Sequence, residues 1–246
     1  MFTINRSALS SIIIAATLVL PAAAVSQQGT SVDEGDWPSW AGSWNASRYS
    51  PLDQINADNV NDLEIAWQWS TQGFGPGTDF VNPSTPIEVD GVLYANVGTT
   101  RNVVALDATS GQVLWMYRYN EGDRFDEAPR KGAGRGVAYY DNGGKSRIFD
   151  ISPGYQLISL DPETGILDPD FGDSGKVDLY VGVRNGDDPR FAYPDIGISA
   201  PPFIMNDVIV VGAAHRTGGR PRSKLNTKGD IRGFDVHSGE LLWTFH

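Results

Sequence analysis

Leu106-Asp107-Ala108-Thr109-Ser110-Gly111-Gln112-Val113-Leu114-Trp115 returns twice further along the chain. The copies are Leu160-Asp161-Pro162-Glu163-Thr164-Gly165 and Phe234-Asp235-Val236-His237-Ser238-Gly239-Glu240-Leu241-Leu242-Trp243. In each copy an Asp closes a strand, and its side chain can accept hydrogen bonds from backbone N–H groups two residues on. A Ser or Thr follows, and Gly supplies the positive φ of a tight hairpin. In the first and third copies the next strand ends on a Trp, and a large flat side chain at a fixed offset from a turn suits docking against a neighbouring copy. Asp107, Asp161 and Asp235 are spaced too widely for a solenoid. Their spacing suits propeller blades of about 40–50 residues with loop insertions. Three unrelated hairpins are the alternative, and the repeated Trp offset runs against it.

The rest of the composition is compatible with a many-turned all-β domain: 246 residues, 40% hydrophobic, 20% charged, with 28 Gly and 15 Pro. The net charge of −11 makes a nucleic acid or an anionic membrane surface a poor partner. Arg6, the uncharged apolar run Ala8–Leu20 and Ala22-Ala23-Ala24 read as a signal peptide over residues 1–24, which implies export. A membrane anchor would need a longer run, and no transmembrane domain is expected elsewhere. With no Cys, the chain offers no disulfide, no thiolate metal site and no covalent c-type haem.

Trp37, Trp40, Trp44 and Tyr49 stand close together ahead of the repeats and are expected to clamp the N-terminal segment onto the fold. Residues 56–63 read as a short helical turn, and Glu64–Ser70 as a half-buried strand. A first blade follows in residues 85–89, 92–97, 102–106 and 113–117, with Asp90-Gly91 as a hairpin turn. A second has strands at 136–140, 147–151 and 155–160, and its repeat lacks the Trp. A third has strands at 202–205, 208–211, 231–234 and 241–245, with Asn206-Asp207 as a turn.

Arg48-Tyr49-Ser50-Pro51-Leu52-Asp53-Gln54-Ile55-Asn56 and the stretch to Trp69 resemble the opening of periplasmic pyrroloquinoline-quinone-dependent dehydrogenases. Gly212-Ala213-Ala214-His215 and Lys228-Gly229-Asp230-Ile231-Arg232-Gly233-Phe234-Asp235 are most similar to the glucose-dehydrogenase-like branch. The resemblance runs from about Trp37 to His246 and implies an all-β, eight-bladed quinoprotein β-propeller with about three to four blades in this chain. It makes residues 25–246 the N-terminal part of an incomplete ring, since an open propeller leaves blade faces and edges uncovered.

It also implies an oxidoreductase that oxidises a sugar or alcohol hydroxyl by hydride transfer to the quinone (PQQ). A Ca2+ ion would polarise the reactive carbonyl, an Asp would take the substrate proton, and a quinone or cytochrome would accept the electrons. In the family most of the Ca2+ ligands and the base come from later blades, beyond His246, so no catalytic or metal residue is assigned and the chain alone is expected to be inactive.

Arg135, in Gly134-Arg135-Gly136-Val137-Ala138-Tyr139, matches the family's cofactor-pairing Arg. A guanidinium can hold a carboxylate through two hydrogen bonds, though a solvated loop Arg is the competing reading. Ser199, Ala214 and His215 align with segments that line the quinone, with an exposed loop His an even alternative for His215. Lys131-Gly132-Ala133-Gly134 stands where many members carry paired Cys. Arg216, Arg220, Arg222, Lys224, Lys228 and Arg232 form a basic island, either a solvated loop or a rim that attracts the anionic cofactor. Asp168, Asp170 and Asp173 lack the spacing of a calcium loop and read as a turn. A periplasmic propeller scaffold without cofactor is the alternative function, and it would not require Arg135-Gly136-Val137.

Overall fold

The computed structural model describes residues 35–43, 46–216, 221 and 223–246. The signal segment, Trp44, Arg220 and Arg222 lie outside the described residues. Around the first repeat the chain forms a four-stranded antiparallel meander of β1 (Ile87–Val89), β2 (Val92–Val97), β3 (Asn102–Asp107) and β4 (Val113–Tyr117). A short helix α1 (Asp123–Glu127) leads to a second meander of β5 (Ala138–Tyr140), β6 (Arg147–Ile151), β7 (Gln156–Leu160) and β8 (Lys176–Asp178). Beyond these lies a two-stranded ladder of β9 (Ile196–Gly197) and β12 (Ala214–His215). The third meander comprises β10 (Phe203–Met205), β11 (Val208–Val211), β13 (Ile231–Asp235) and β14 (Leu241–Phe245). These are three blades of a β-propeller. Among the described residues no helix is long and apolar enough to cross a membrane.

Local chemistry sets the hairpins. Asp90 and Gly91 both have positive φ, 50° and 77°, and Val89 faces Val92, which is the two-residue turn whose twist matches paired strands. Asn206 and Asp207 repeat it at 51° and 60° between Met205 and Val208. In the three longer turns Asp Oδ1 accepts the N–H of Ser110, Thr164 or Ser238 at 2.7, 2.9 and 2.7 Å. The hydroxyl of the same residue also donates to that oxygen, at 2.7, 2.8 and 2.9 Å. The Ser110 hydrogen bonds hold the Asp107 carboxyl below its ordinary pKa. Burial pushes Asp235 up, but the Ser238 and His237 hydrogen bonds outweigh it and leave it lowered.

The Trp of one blade docks on the turn of the next. Trp115 Nε1 donates to Pro162 O at 2.8 Å, and its ring lies where a Cβ on Gly165 would come within 2.4 Å. Trp67 does the same to the first blade, donating to Ala108 O at 3.0 Å, with its ring 2.5 Å from a Cβ built on Gly111. Because the second repeat lacks its Trp, Val177 and Phe171 fill that place against Gly239, and Gly172 N donates to Ser238 O at 2.8 Å.

Apolar cores lie between the blades. Ile87, Tyr94, Val103, Ile148 and Ile158 join the first two, and Phe149, Leu157, Ile204, Ile209 and Phe234 join the second to the third. The middle blade is covered on both faces, so every residue of β6 is buried. In β14 the side chains of Leu241, Leu242, Trp243 and Phe245 are exposed.

Some expectations hold and others need correction. Glu64–Ser70 forms no strand, since no described strand lies beside it to pair with; Trp67 and Trp69 instead turn onto the first blade, Trp69 stacking on Phe74 at 5.2 Å. Residues 60–62 form a single 3-10 turn. Trp37 does clamp the N-terminal segment, exchanging backbone hydrogen bonds with Glu88, but Trp40 and Tyr49 are exposed. Arg232 is no rim cation: it is buried and donates to the carbonyls of Leu179 and Val181. Asp168 belongs to a turn and is buried against Lys145 and Arg147, the latter at 2.8 Å.

Candidate functional site

The segment from Ala128 to Gly136, between α1 and β5, is drawn tight from beneath by Arg101. This residue is buried in the β2–β3 turn, and its φ of 59° aims it inward. Its guanidinium donates to four carbonyls: Gly132 at 3.3 Å, Arg130 at 2.7 Å, Ile151 at 2.8 Å and Ile198 at 2.7 Å. One planar fork thereby joins the 130–132 loop, the end of β6 and the segment after β9, which no strand ladder connects.

Beside it lies a buried polar group. Asn96 Nδ2 donates to Asp150 Oδ2 at 3.0 Å, Tyr119 OH donates to the same oxygen at 2.9 Å, and Asn96 Oδ1 accepts the Gly136 N–H at 3.0 Å. Burial raises the Asp150 carboxyl to about 7, against the opposing pull of Arg101, Tyr119 and Asn96. Burial likewise drives the Tyr119 hydroxyl well above its ordinary range.

On this base the Arg135 backbone is fixed. Its N–H donates to Ser199 O at 2.8 Å and its carbonyl accepts Thr85 N–H at 3.2 Å. Gly136 follows at φ 128°, where a side chain would be strained and a Cβ would lie 2.8 Å from Thr85 O. The side chain of Arg135 is exposed and has no ion-pair partner among the described residues. It borders two cavities. One, of about 430 Å³, is lined by Asp79, Phe80, Arg130, Lys131, Arg135 and Ser199, among others. The other, of about 440 Å³, lies against Trp40, Ala200, Pro201 and Phe203 and is more apolar.

Arg135 and Ser199 are therefore brought together. Ala214 and His215 are not at these cavities: they form β12 against β9, and His215 Nε2 lies 2.9 Å from Thr227 O. Arg216 pairs with Asp195 at 3.3 Å. Lys131 reaches the Asp126 carbonyl and stacks 5.3 Å from Phe125, so it is already engaged.

Sequence reasoning missed Asp79, whose Oδ2 is buried in the first cavity without a hydrogen-bond partner. An unmatched acceptor on Asp79 and an unpaired guanidinium on Arg135 thus belong to the lining of one cavity. It also missed Asn96, Arg101 and Asp150. The available signal was a polar residue set in an apolar strand, as in Ala95-Asn96-Val97 and Phe149-Asp150-Ile151. Among the described residues no group of three or more His, Asp or Glu comes together that could hold a metal ion.

The family model for the glucose/ethanol/alcohol dehydrogenase β-propeller domain, labelled PQQ, matches residues 37–246. The quinoprotein glucose dehydrogenase of Escherichia coli is 33% identical over 241 residues, covering 92% of this chain and 28% of that protein. The glycerol dehydrogenase large subunit of Gluconobacter oxydans is 29% identical over 229 residues, covering 89% of this chain and 29% of the relative. Among solved structures, quinohemoprotein alcohol dehydrogenase from Comamonas testosteroni matches with a TM-score of 0.63 and 27% identity, over 85% of this chain and 27% of that one. The chain thus spans less than a third of the length of these relatives.

Proposed function

The chain belongs to the glucose/ethanol/alcohol dehydrogenase β-propeller family of quinoproteins, and from that premise we propose that it is the pyrroloquinoline-quinone-holding part of an exported dehydrogenase acting on a sugar or alcohol hydroxyl. The observation that carries this reading is Arg135. Its backbone is fixed by Ser199 and Thr85 while its guanidinium stands unpaired over a cavity. A rigid support under an exposed cation lowers the ordering cost of holding an anion.

When bound, the quinone supplies the hydride acceptor. The chain's own contribution is to hold and orient it: Arg135 takes a carboxylate through two hydrogen bonds, Ser199 closes the same wall, and Asp79 Oδ2 offers an acceptor to a ring N–H. Ala214 and His215 remain candidates through alignment with the family's quinone-lining segments and would act from the β9–β12 ladder. Among the described residues no three His, Asp or Glu side chains come together, so a Ca2+ ion would take most of its ligands from elsewhere. No base is assigned either, and the chain taken alone is proposed to be inactive. Residues 1–24 would direct export to the periplasm, where a quinone or cytochrome would accept the electrons.

Titration of the intact apo-protein with pyrroloquinoline quinone tests the reading. Arg135→Ala is expected to weaken binding by ~1.5–3 kcal/mol, the range for a hydrogen bond to a charged group, with Arg135→Lys recovering only part. An Ala variant that binds as the wild type does would remove Arg135 from the site. A wild type that binds no quinone would favour a cofactor-free scaffold.

A further inference from the structure

We propose that Asn96 and Asp150 are positioning residues for Arg135, acting as one chain of hydrogen bonds in which Asp150 orients the Asn96 amide and Asn96 holds the backbone of the Arg135 turn through the Gly136 N–H. The inference rests on the quinone reading of Arg135 and adds residues that do not touch the ligand.

The geometry leaves Asn96 one orientation. A backbone N–H at 3.0 Å requires an acceptor, so Oδ1 faces Gly136; a carboxylate oxygen at 3.0 Å requires a donor, so Nδ2 faces Asp150. A planar amide end presents both groups at once whatever the pH. Its own backbone is held as well, Asn96 N–H donating to Ser84 Oγ at 3.1 Å, one residue before the Thr85 that bonds the Arg135 carbonyl. Asn96 and Asp150 are both buried, each the last residue but one of its strand, β2 and β6, so the chain starts on two rigid strands of neighbouring blades and ends on a loop.

The Arg135 turn is therefore placed by the packing of one blade against the next rather than by its own sequence. Tyr119 completes the support from the segment after β4, and Arg101 supplies the nearby positive charge. A site on a loop gains precision when side chains anchored on regular elements hold its backbone.

Three variants and one control test this in the intact apo-protein. Asn96→Leu keeps the approximate volume but orphans the Gly136 N–H. Asn96→Asp sets two carboxyls face to face. The exchanged pair Asn96→Asp with Asp150→Asn sets a donor against an acceptor in both hydrogen bonds again, the carboxylate at 96 accepting from Gly136 N–H and from the amide at 150. Asp168→Ala, in a buried ion pair of the second blade away from the cavities, serves as a destabilised control.

Affinity for pyrroloquinoline quinone is measured by titration, and exchange of the Gly136 amide by hydrogen–deuterium exchange. Each single change at Asn96 is expected to weaken quinone binding about tenfold, equivalent to ~1.4 kcal/mol, and to speed Gly136 exchange. The exchanged pair should recover most of both, and Asp168→Ala should leave both as in the wild type. Wild-type affinity in Asn96→Leu, failure of the exchanged pair to recover, or an equal loss in Asp168→Ala would each overturn the proposal. A wild-type protein that binds no quinone would overturn the quinone reading instead, and the Gly136 exchange comparison would then decide the positioning chain alone.

Discussion

Adding one methyl group at Gly165 should destabilise the chain far more than adding it at Gly91, and the difference measures the docking of one blade on the next. Both glycines have left-handed backbone, at φ 68° and 77°. An L side chain there costs about 1–2 kcal/mol. A Cβ at Gly91 meets nothing within 4 Å, so Gly91→Ala should cost that amount alone. At Gly165 the new Cβ would sit 2.4 Å from Trp115 Cε3 and 2.6 Å from Cδ2.

The indole must then withdraw by about an ångström, against interiors packed too closely to absorb it. That movement breaks its hydrogen bond to Pro162 O, worth ~1 kcal/mol, and opens part of the packing whose full loss on Trp→Ala costs about 3–5 kcal/mol. Gly165→Ala is therefore expected to cost about 3–5 kcal/mol in all. Denaturant titration of the intact protein gives both values from the shift in midpoint at constant slope. In the Trp115→Leu background the excess cost of Gly165→Ala should disappear. Equal losses at Gly91 and Gly165, or an excess that persists without the indole, would refute the docking argument.

Asp168→Ala leaves Arg147 buried without its carboxylate and should cost about 3–5 kcal/mol by denaturation, much of it recovered when Arg147→Met removes the stranded charge. An unchanged midpoint would show that the pair contributes nothing. Asp107 and Asp235 have folded pKa values below their unfolded ones, so their stabilisation is present above the unfolded carboxylate pKa of about 4 and is lost as pH falls through the folded values. Asp107→Asn with Asp235→Asn should therefore lag behind the wild type at neutral pH and converge with it in acid, as seen in melting curves across that range; a constant gap would exclude the ionised cap. N-terminal sequencing of the exported product should begin near Val25, and a product beginning at Met1 would exclude cleavage of the leader.

The blades were legible because their turns are written in residues with few alternatives. Asp90-Gly91, Asn206-Asp207 and the Asp-to-Gly repeats set positive φ where only a short list of residues tolerates it, and the strands between them alternate or run apolar. β8 escaped notice because Lys176-Val177-Asp178 is three residues with a single apolar member, recognisable only once Val177 is found filling the missing Trp's place. Glu64–Ser70 misled because alternation reports which side chains face inward, and Trp67 and Trp69 do so without any ladder. Arg135 and Ser199 were singled out through the resemblance, and they lie together at one cavity. Asn96, Asp150 and Arg101 were not, since their partners lie on other loops and blades and sequence separation hides such pairs. Arg232 shows why charge alone misplaces a residue: like Arg101, it is a buried cation held by backbone carbonyls.

The Trp-to-turn contacts also set an order of assembly. Trp67 waits for Ala108, 41 residues later, and Trp115 for Pro162, 47 residues later. Each blade can thus be capped as soon as one further blade has left the ribosome, so the caps form in chain order. Arg101 is the exception, because its bond to Ile198 spans 97 residues. The segments that Arg101 ties together beneath Arg135 can lock only after β9 has emerged, by which time the first two blades are already built. The Arg135 turn is a late product of synthesis laid on a finished platform, and a chain arrested in the second blade would have its propeller core without that turn closed.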